Sequence, residues 1–155
     1  MQVPQIDFWK TFKETDGAFS TAEALALYNI CLQVPEGYYV ELGSHKGKST
    51  LAAIAALKMG AFNLVDPIFS DEEIKNKLSK NLWGAVKSTI SWHFIADLSL
   101  NYLPRSPQDL QFCFVDSGEH DEMVMEEVKI LEDRMAIGGI IAFHDYLNQF
   151  TAVAR

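Results

Sequence analysis

The sequence predicts an α/β fold, a doubly wound parallel sheet with helices on both faces. Three observations carry the prediction. Short, continuous apolar runs recur along the chain, as at 38–42 and 112–115, and runs without polar alternation belong to strands buried on both faces. Helix-patterned stretches separate these runs, and helical crossovers between neighbouring strands give a parallel sheet with right-handed connections. Each run gives way to a glycine or an aspartate, at Gly43, Asp66, Asp97, Asp116 and Asp145.

The elements follow in order. Residues 5–18 form a polar-aromatic lead-in whose Ile6, Phe8, Trp9 and Phe12 are suited to cover an edge of the core. Ser20 and Glu23 have the spacing of a capping box, in which each side chain satisfies a free backbone N–H at a helix start. The helix they open carries Leu25, Leu27, Tyr28, Ile30 and Leu32 and should stop near Pro35 and Gly37. A first strand follows at 38–42, a helix at 49–59 and a second strand at 61–65 ending in Asp66-Pro67. Helical residues 70–87 lead to a third strand at 92–96, and a short turn ends before Pro104. The fourth strand, 112–115, ends at Asp116, and an acidic amphipathic helix spans 121–135. Gly138-Gly139 should break that helix before a fifth strand at 140–143, which ends at His144-Asp145. A further helix then begins at 149–155 just as the chain stops, so it reads either as a C-terminally truncated form lacking the final strands or as a minimal version of a larger fold.

Composition narrows the function. A chain of 155 residues and 17.4 kDa, 48% apolar and 22% charged, has the size and balance of one globular domain. Residues 1–19 are the lead-in and 20–155 the domain proper. Its 13 basic against 21 acidic residues leave a formal charge of −8, the wrong sign for gripping phosphates, so nucleic acid is not an expected partner. No apolar run approaches the roughly 20 residues of a membrane span, and the first residues lack a secretory pattern. Cys31 and Cys113 lie in apolar surroundings and imply no disulfide framework. The expected product is a soluble cytoplasmic domain, with Phe8, Trp9 and Phe12 serving either as edge cover or as a homo-oligomer contact.

In open parallel sheets, ligands bind at the carboxyl ends of the strands, where the strand order reverses. The first such end reads Glu41-Leu42-Gly43-Ser44-His45-Lys46-Gly47-Lys48-Ser49-Thr50. Gly43 and Gly47 permit a tight turn and close approach to a ligand, ahead of the free N–H groups of a helix start. The spacing matches neither a dinucleotide fingerprint nor a P-loop, since Leu42 stands where a P-loop needs glycine. Asp66 falls 23 residues after Gly43, where a carboxylate can accept both hydroxyls of a ribose. Read blandly, the glycines only join strand to helix and Asp66-Pro67 only opens a loop. Together they suit a ligand that carries adenosine.

The run from Glu41 to Thr50 resembles the first motif of class I S-adenosyl-L-methionine-dependent methyltransferases, closest to small-molecule O-methyltransferases of the catechol and antibiotic-sugar groups. The resemblance extends through Asp66-Pro67, Asp116, Glu122, Val124 and the segment from Gly138 to Tyr146, covering roughly residues 20–146. It implies a Rossmann-like sheet. It also implies that Glu41 and Gly43 line the methionine part of the cofactor, with Ser49 on its carboxylate and Ser44 and Gly47 as further cofactor-binding residues. Asp66 would take the ribose, Asp97 and Ser99 the adenine, and Asp116 would also bind the cofactor, while Asp116 and Asp145 would be metal ligands or would face the acceptor. In metal-dependent relatives, Mg²⁺ is held by three oxygen ligands at positions matching Asp116, His144 and Asp145. Here the adjacent pair is His144-Asp145, so one ligand is a nitrogen or is missing. Antibiotic-sugar relatives place a histidine three residues after the fourth-strand aspartate, whereas His120 lies four after Asp116.

These readings predict transfer of a methyl group from S-adenosyl-L-methionine to a small-molecule hydroxyl, with His120 as base and Asp145 in the catalytic group. A histidine can take a hydroxyl proton near neutral pH. Two rival functions share part of this pattern. A nicotinamide-dependent oxidoreductase shares the sheet and the ribose acid, but the glycine triad and a Tyr-x-x-x-Lys pair are missing. A non-catalytic adenosyl-binding domain would account for the early chain end and the shifted histidine.

Overall fold

A computed structural model describes residues 6–85, 89–117 and 121–145. The helices are α1 (Ile6–Glu14), α2 (Thr21–Cys31), α3 (Lys48–Ile54), α4 (Glu72–Ala85), α5 (Ser99–Tyr102) and α6 (Asp121–Glu132). The strands are β1 (Gly37–Leu42), β2 (Gly60–Val65), β3 (Ile90–Ile95), β4 (Leu110–Val115) and β5 (Met135–Phe143). All pair in parallel in the order β3-β2-β1-β4-β5. The chain works outward from β1 to β3, then crosses back to β4, so the order reverses between β1 and β4. That junction opens a crevice at the carboxyl edge.

Side-chain alternation divides the core into two layers. Tyr39, Phe62, Leu64, Phe112 and Phe114 face α1 to α4, where Phe8, Phe12, Leu27, Leu51, Ile54, Leu78 and Leu82 are buried against them. Val40, Leu42, Val65, Cys113 and Val115 face the other way, onto Tyr102, Leu103 and Leu131. The doubly wound sheet with helices on both faces is therefore the architecture of this chain. Cys31 and Cys113 are free and buried, and no described helix is long and apolar enough to cross a membrane.

Three elements differ from expectation. The lead-in is helical over Ile6–Glu14, because Phe8 and Phe12, one turn apart, both reach the core. The helix expected at 49–59 ends at Ile54, and a looser turn bonds Leu57 N–H to the Ala53 carbonyl at 3.0 Å. The helix before the glycine pair stops at Glu132, and the reason is sheet pairing rather than Gly138-Gly139. The Arg134 carbonyl already accepts the Leu110 N–H at 2.9 Å, which pulls the chain into β5. The glycines then lie inside the strand, at an irregularity where Leu110 pairs with Met135 but Phe112 with Ile140. His120, Tyr146 and the expected helix at 149–155 lie outside the described residues.

Candidate active site

The turn after β1 is built by steric necessity. Gly43 has φ +84°, and a Cβ there would stand 2.2 Å from the Asp116 carbonyl oxygen, so the β1 and β4 ends touch backbone to backbone. Gly47, also at positive φ, caps α3, and a Cβ on it would strike Leu78 of α4. Between the two glycines, the Gly47 N–H closes a turn on the Ser44 carbonyl at 2.8 Å. His45 occupies φ +44° and donates its N–H to Asp66 Oδ2 at 2.8 Å.

Asp66 is thus held from two sides, because the Ile68 N–H donates to Oδ1 at 2.9 Å. Each oxygen keeps a further lone pair for a ligand. At the next strand end, Asp97 accepts from the Leu98 N–H at 2.8 Å, from Asn101 Nδ2 at 3.1 Å and from Arg105. The Asn101 hydrogen bond leads the interactions that hold its carboxyl below the ordinary range. Both aspartates are presented as hydrogen-bond acceptors held in fixed geometry at one rim.

Glu41 is placed differently from the expectation that it lines the cleft. Strand alternation turns it to the α3 side, where it is fully buried and accepts from Ser49 Oγ at 2.6 Å and from Thr50 Oγ1. Burial pushes its carboxyl up to about 7, and the two hydroxyls oppose that rise. It braces the start of α3 from behind. Gly47 likewise faces α4 and does not line the cleft.

The fourth and fifth strand ends bring three more expected residues together. His144 Nδ1 lies 3.1 Å from Asp116 Oδ1 and 3.2 Å from Asp145 Oδ2. It is buried and forms no properly directed hydrogen bond with either. The ligand atoms of the three residues all fall within 4.8 Å of one another. The other ring nitrogen, Nε2, is 3.2 Å from Glu23 Oε1 on α2. Burial pushes the Asp116 carboxyl up to about 6; His144 opposes the rise and Asp145 adds to it. For His144 burial disfavours the charged ring, but Asp116, Asp145 and Glu23 outweigh it and raise the pKa above the ordinary imidazole value. An atom that faces two carboxylates without bonding well to either fits a ligand for a divalent cation.

One cleft of about 470 Å³ gathers these features. Of the residues singled out in the sequence, Gly43, Ser44, Ser49, Asp66, Asp97, Ser99, Asp116, His144 and Asp145 line it. The segment from Asp16 to Phe19, together with Met123, closes its other side. Phe19 stacks obliquely on His144, with ring centroids 5.2 Å apart. Lys48 Nζ fastens the closing segment by donating to the Gly17 carbonyl at 3.1 Å. Two acids near the cleft escaped sequence reasoning. Glu23 was legible only as a helix cap. Glu127 of α6, fully buried, accepts from Ser117 Oγ at 2.5 Å beneath the cleft wall, and nothing in its helical pattern marked it.

A family model described as a methyltransferase domain matches residues 40–146. No curated protein matches the chain. Among solved structures, a protein from Corynebacterium glutamicum is similar at TM-score 0.72 and 13% identity, covering 94% of this chain and 69% of that one. A methyltransferase of Podospora anserina with S-adenosylhomocysteine bound gives TM-score 0.66 and 13% identity, over 90% and 62% of the two chains. The O-methyltransferase TomG of Streptomyces achromogenes, in complex with S-adenosylmethionine, gives 0.57 and 17%, over 83% and 61%. The chain therefore spans less than two thirds of the last two proteins, and at these identities the likeness is one of fold.

Proposed function

Because this chain belongs to the methyltransferase domain family over residues 40–146, we propose that it moves a methyl group from S-adenosyl-L-methionine to a hydroxyl of a small molecule. The observation that carries the reading is the shared cleft. The Gly43 turn, the doubly held Asp66 carboxylate and the Asp116–His144–Asp145 cluster line one cavity at the strand-order reversal.

In this reading the ribose hydroxyls donate to Asp66, and adenine lies toward Asp97 and Ser99. The methionine end lies over Gly43, Ser44 and Ser49. The sulfonium is a cation, and the acidic cleft favours it. Its methyl carbon is already electrophilic, so the protein's main task is to align acceptor oxygen, carbon and sulfur. The acceptor oxygen forms the new C–O bond as the C–S bond breaks, and the electron pair stays on sulfur to leave S-adenosylhomocysteine. The hydroxyl proton must go to a base. His120, the base expected from sequence, lies outside the described residues. Asp116, with its carboxyl pushed up to about 6, lies within the cleft with Asp145 beside it and takes that proton when no ion is held there. A protonation constant near the operating pH suits that exchange.

Asp116, His144 and Asp145 also fit a divalent cation and would hold it. When bound, such an ion would polarise the acceptor hydroxyl. Calorimetry tests the assignment. S-adenosylhomocysteine should bind the full chain at one site, and binding of NAD⁺ in its place would overturn the reading in favour of an oxidoreductase.

A further inference from the structure

We infer that Glu23, a helix-cap residue outside every motif, is a positioning residue that fixes the His144 tautomer and makes the Asp116–His144–Asp145 cluster a site for a first-row transition ion rather than Mg²⁺. The inference goes beyond methyl transfer and can be tested without the cofactor.

Alternation along β5 sends His144 to the same side as Ile140 and Ala142, toward α2. There its ring packs beside Phe19 and Phe114, at centroid distances of 5.2 and 6.3 Å. Glu23 reaches the ring from the first turn of α2. Its Oε2 is committed to the Ser20 N–H at 2.6 Å, which leaves Oε1 facing Nε2 at 3.2 Å. With Oε2 taken up by the cap, Oε1 is the acceptor that Glu23 presents to the ring. The proton of a neutral His144 therefore belongs on Nε2, which leaves the lone pair on Nδ1.

Close to that nitrogen, though neither is in line with it, stand two more acceptors, Asp116 Oδ1 at 3.1 Å and Asp145 Oδ2 at 3.2 Å. Three electron-rich atoms converging without a hydrogen between them call for a positive charge. Either a second ring proton or a metal ion supplies it, and metal binding displaces the proton. A histidine whose far nitrogen donates to a carboxylate is the arrangement that orients an imidazole toward a metal and strengthens it as a ligand. One nitrogen and two carboxylates suit Mn²⁺, Fe²⁺, Co²⁺ or Zn²⁺, whereas Mg²⁺ prefers oxygen alone.

The test is a calorimetric titration of the full chain with Mn²⁺ and with Mg²⁺, comparing wild type, Glu23→Gln and His144→Ala. Glutamine can keep the Ser20 cap through its carbonyl while presenting an amide N–H to Nε2, which reverses the tautomer. We expect Mn²⁺ to bind at least about tenfold more tightly than Mg²⁺, Glu23→Gln to weaken Mn²⁺ by about 10–100-fold, and His144→Ala to bring the two ions level. Equal Mn²⁺ and Mg²⁺ affinities in wild type, no Mn²⁺ binding, or an unchanged Mn²⁺ affinity in a folded Glu23→Gln would each overturn the inference. If that variant does not fold, ¹⁵N shifts of the wild-type His144 ring decide. Zn²⁺ should move Nδ1 and leave Nε2 protonated, and movement of Nε2 instead refutes the assignment. Loss of S-adenosylhomocysteine binding is a separate result and bears only on the methyltransferase reading.

Discussion

Gly43 and Asp116 are in backbone contact across the β1–β4 junction: a Cβ at position 43 would lie 2.2 Å from the Asp116 carbonyl oxygen. The glycine is thus both a left-handed turn residue and the spacer that lets two strand ends meet under the cleft. Gly43→Ala should lose at least about 2 kcal/mol of stability, through positive φ and overpacking together. It should also weaken S-adenosylhomocysteine binding. Urea denaturation and calorimetry on the same preparation check both effects.

A second prediction concerns pH. The buried Glu41 carboxyl, raised to about 7, binds its proton more tightly in the folded protein than in the unfolded chain. Its contribution to stability is complete below the unfolded value near 4.5 and is lost as the pH rises through the folded value. Glu41→Gln cannot ionise. Its stability relative to wild type should therefore improve by about 3 kcal/mol between about pH 4 and pH 8. Parallel stability curves for the two proteins across that range would refute the buried, raised carboxyl.

The α2 cap yields a third. Ser20 Oγ accepts the Glu23 N–H at 3.2 Å, and Glu23 returns the bond to the Ser20 N–H. Ser20→Ala should cost about 1 kcal/mol, with Ser20→Thr recovering most of it. Denaturant midpoints measured at constant slope distinguish this from a change in the unfolded state.

Much of this was legible in the chain because the strands are apolar runs with abrupt ends. The runs around Val40, Leu64 and Phe114 located the sheet, and Gly43, Asp66, Asp97 and Asp116 marked its carboxyl edge. What sequence reasoning missed was set by tertiary contact. Glu23 and His144 are 121 residues apart, so no local pattern could pair them. Glu41 was expected in the cleft because the resemblance placed it with Gly43 on the cofactor. The period-2 alternation that buries Tyr39 sends Glu41 to that same face, behind the turn. Gly138-Gly139 looked like a helix break, yet the pairing of Leu110 with Arg134 ended the helix first. Phe8 and Phe12 had helical spacing all along, and only the burial of both rings showed that the lead-in belongs to the core.

The central claim is that the cleft between the Gly43 turn and Asp66 receives the adenosyl cofactor. Calorimetric titration of wild type and Asp66→Ala with S-adenosylhomocysteine tests it most directly. The account predicts one equivalent bound by wild type and a loss of about 1–3 kcal/mol in the variant, from hydrogen bonds to a charged acceptor. No binding by the wild-type chain, or the same dissociation constant in both proteins, would contradict it.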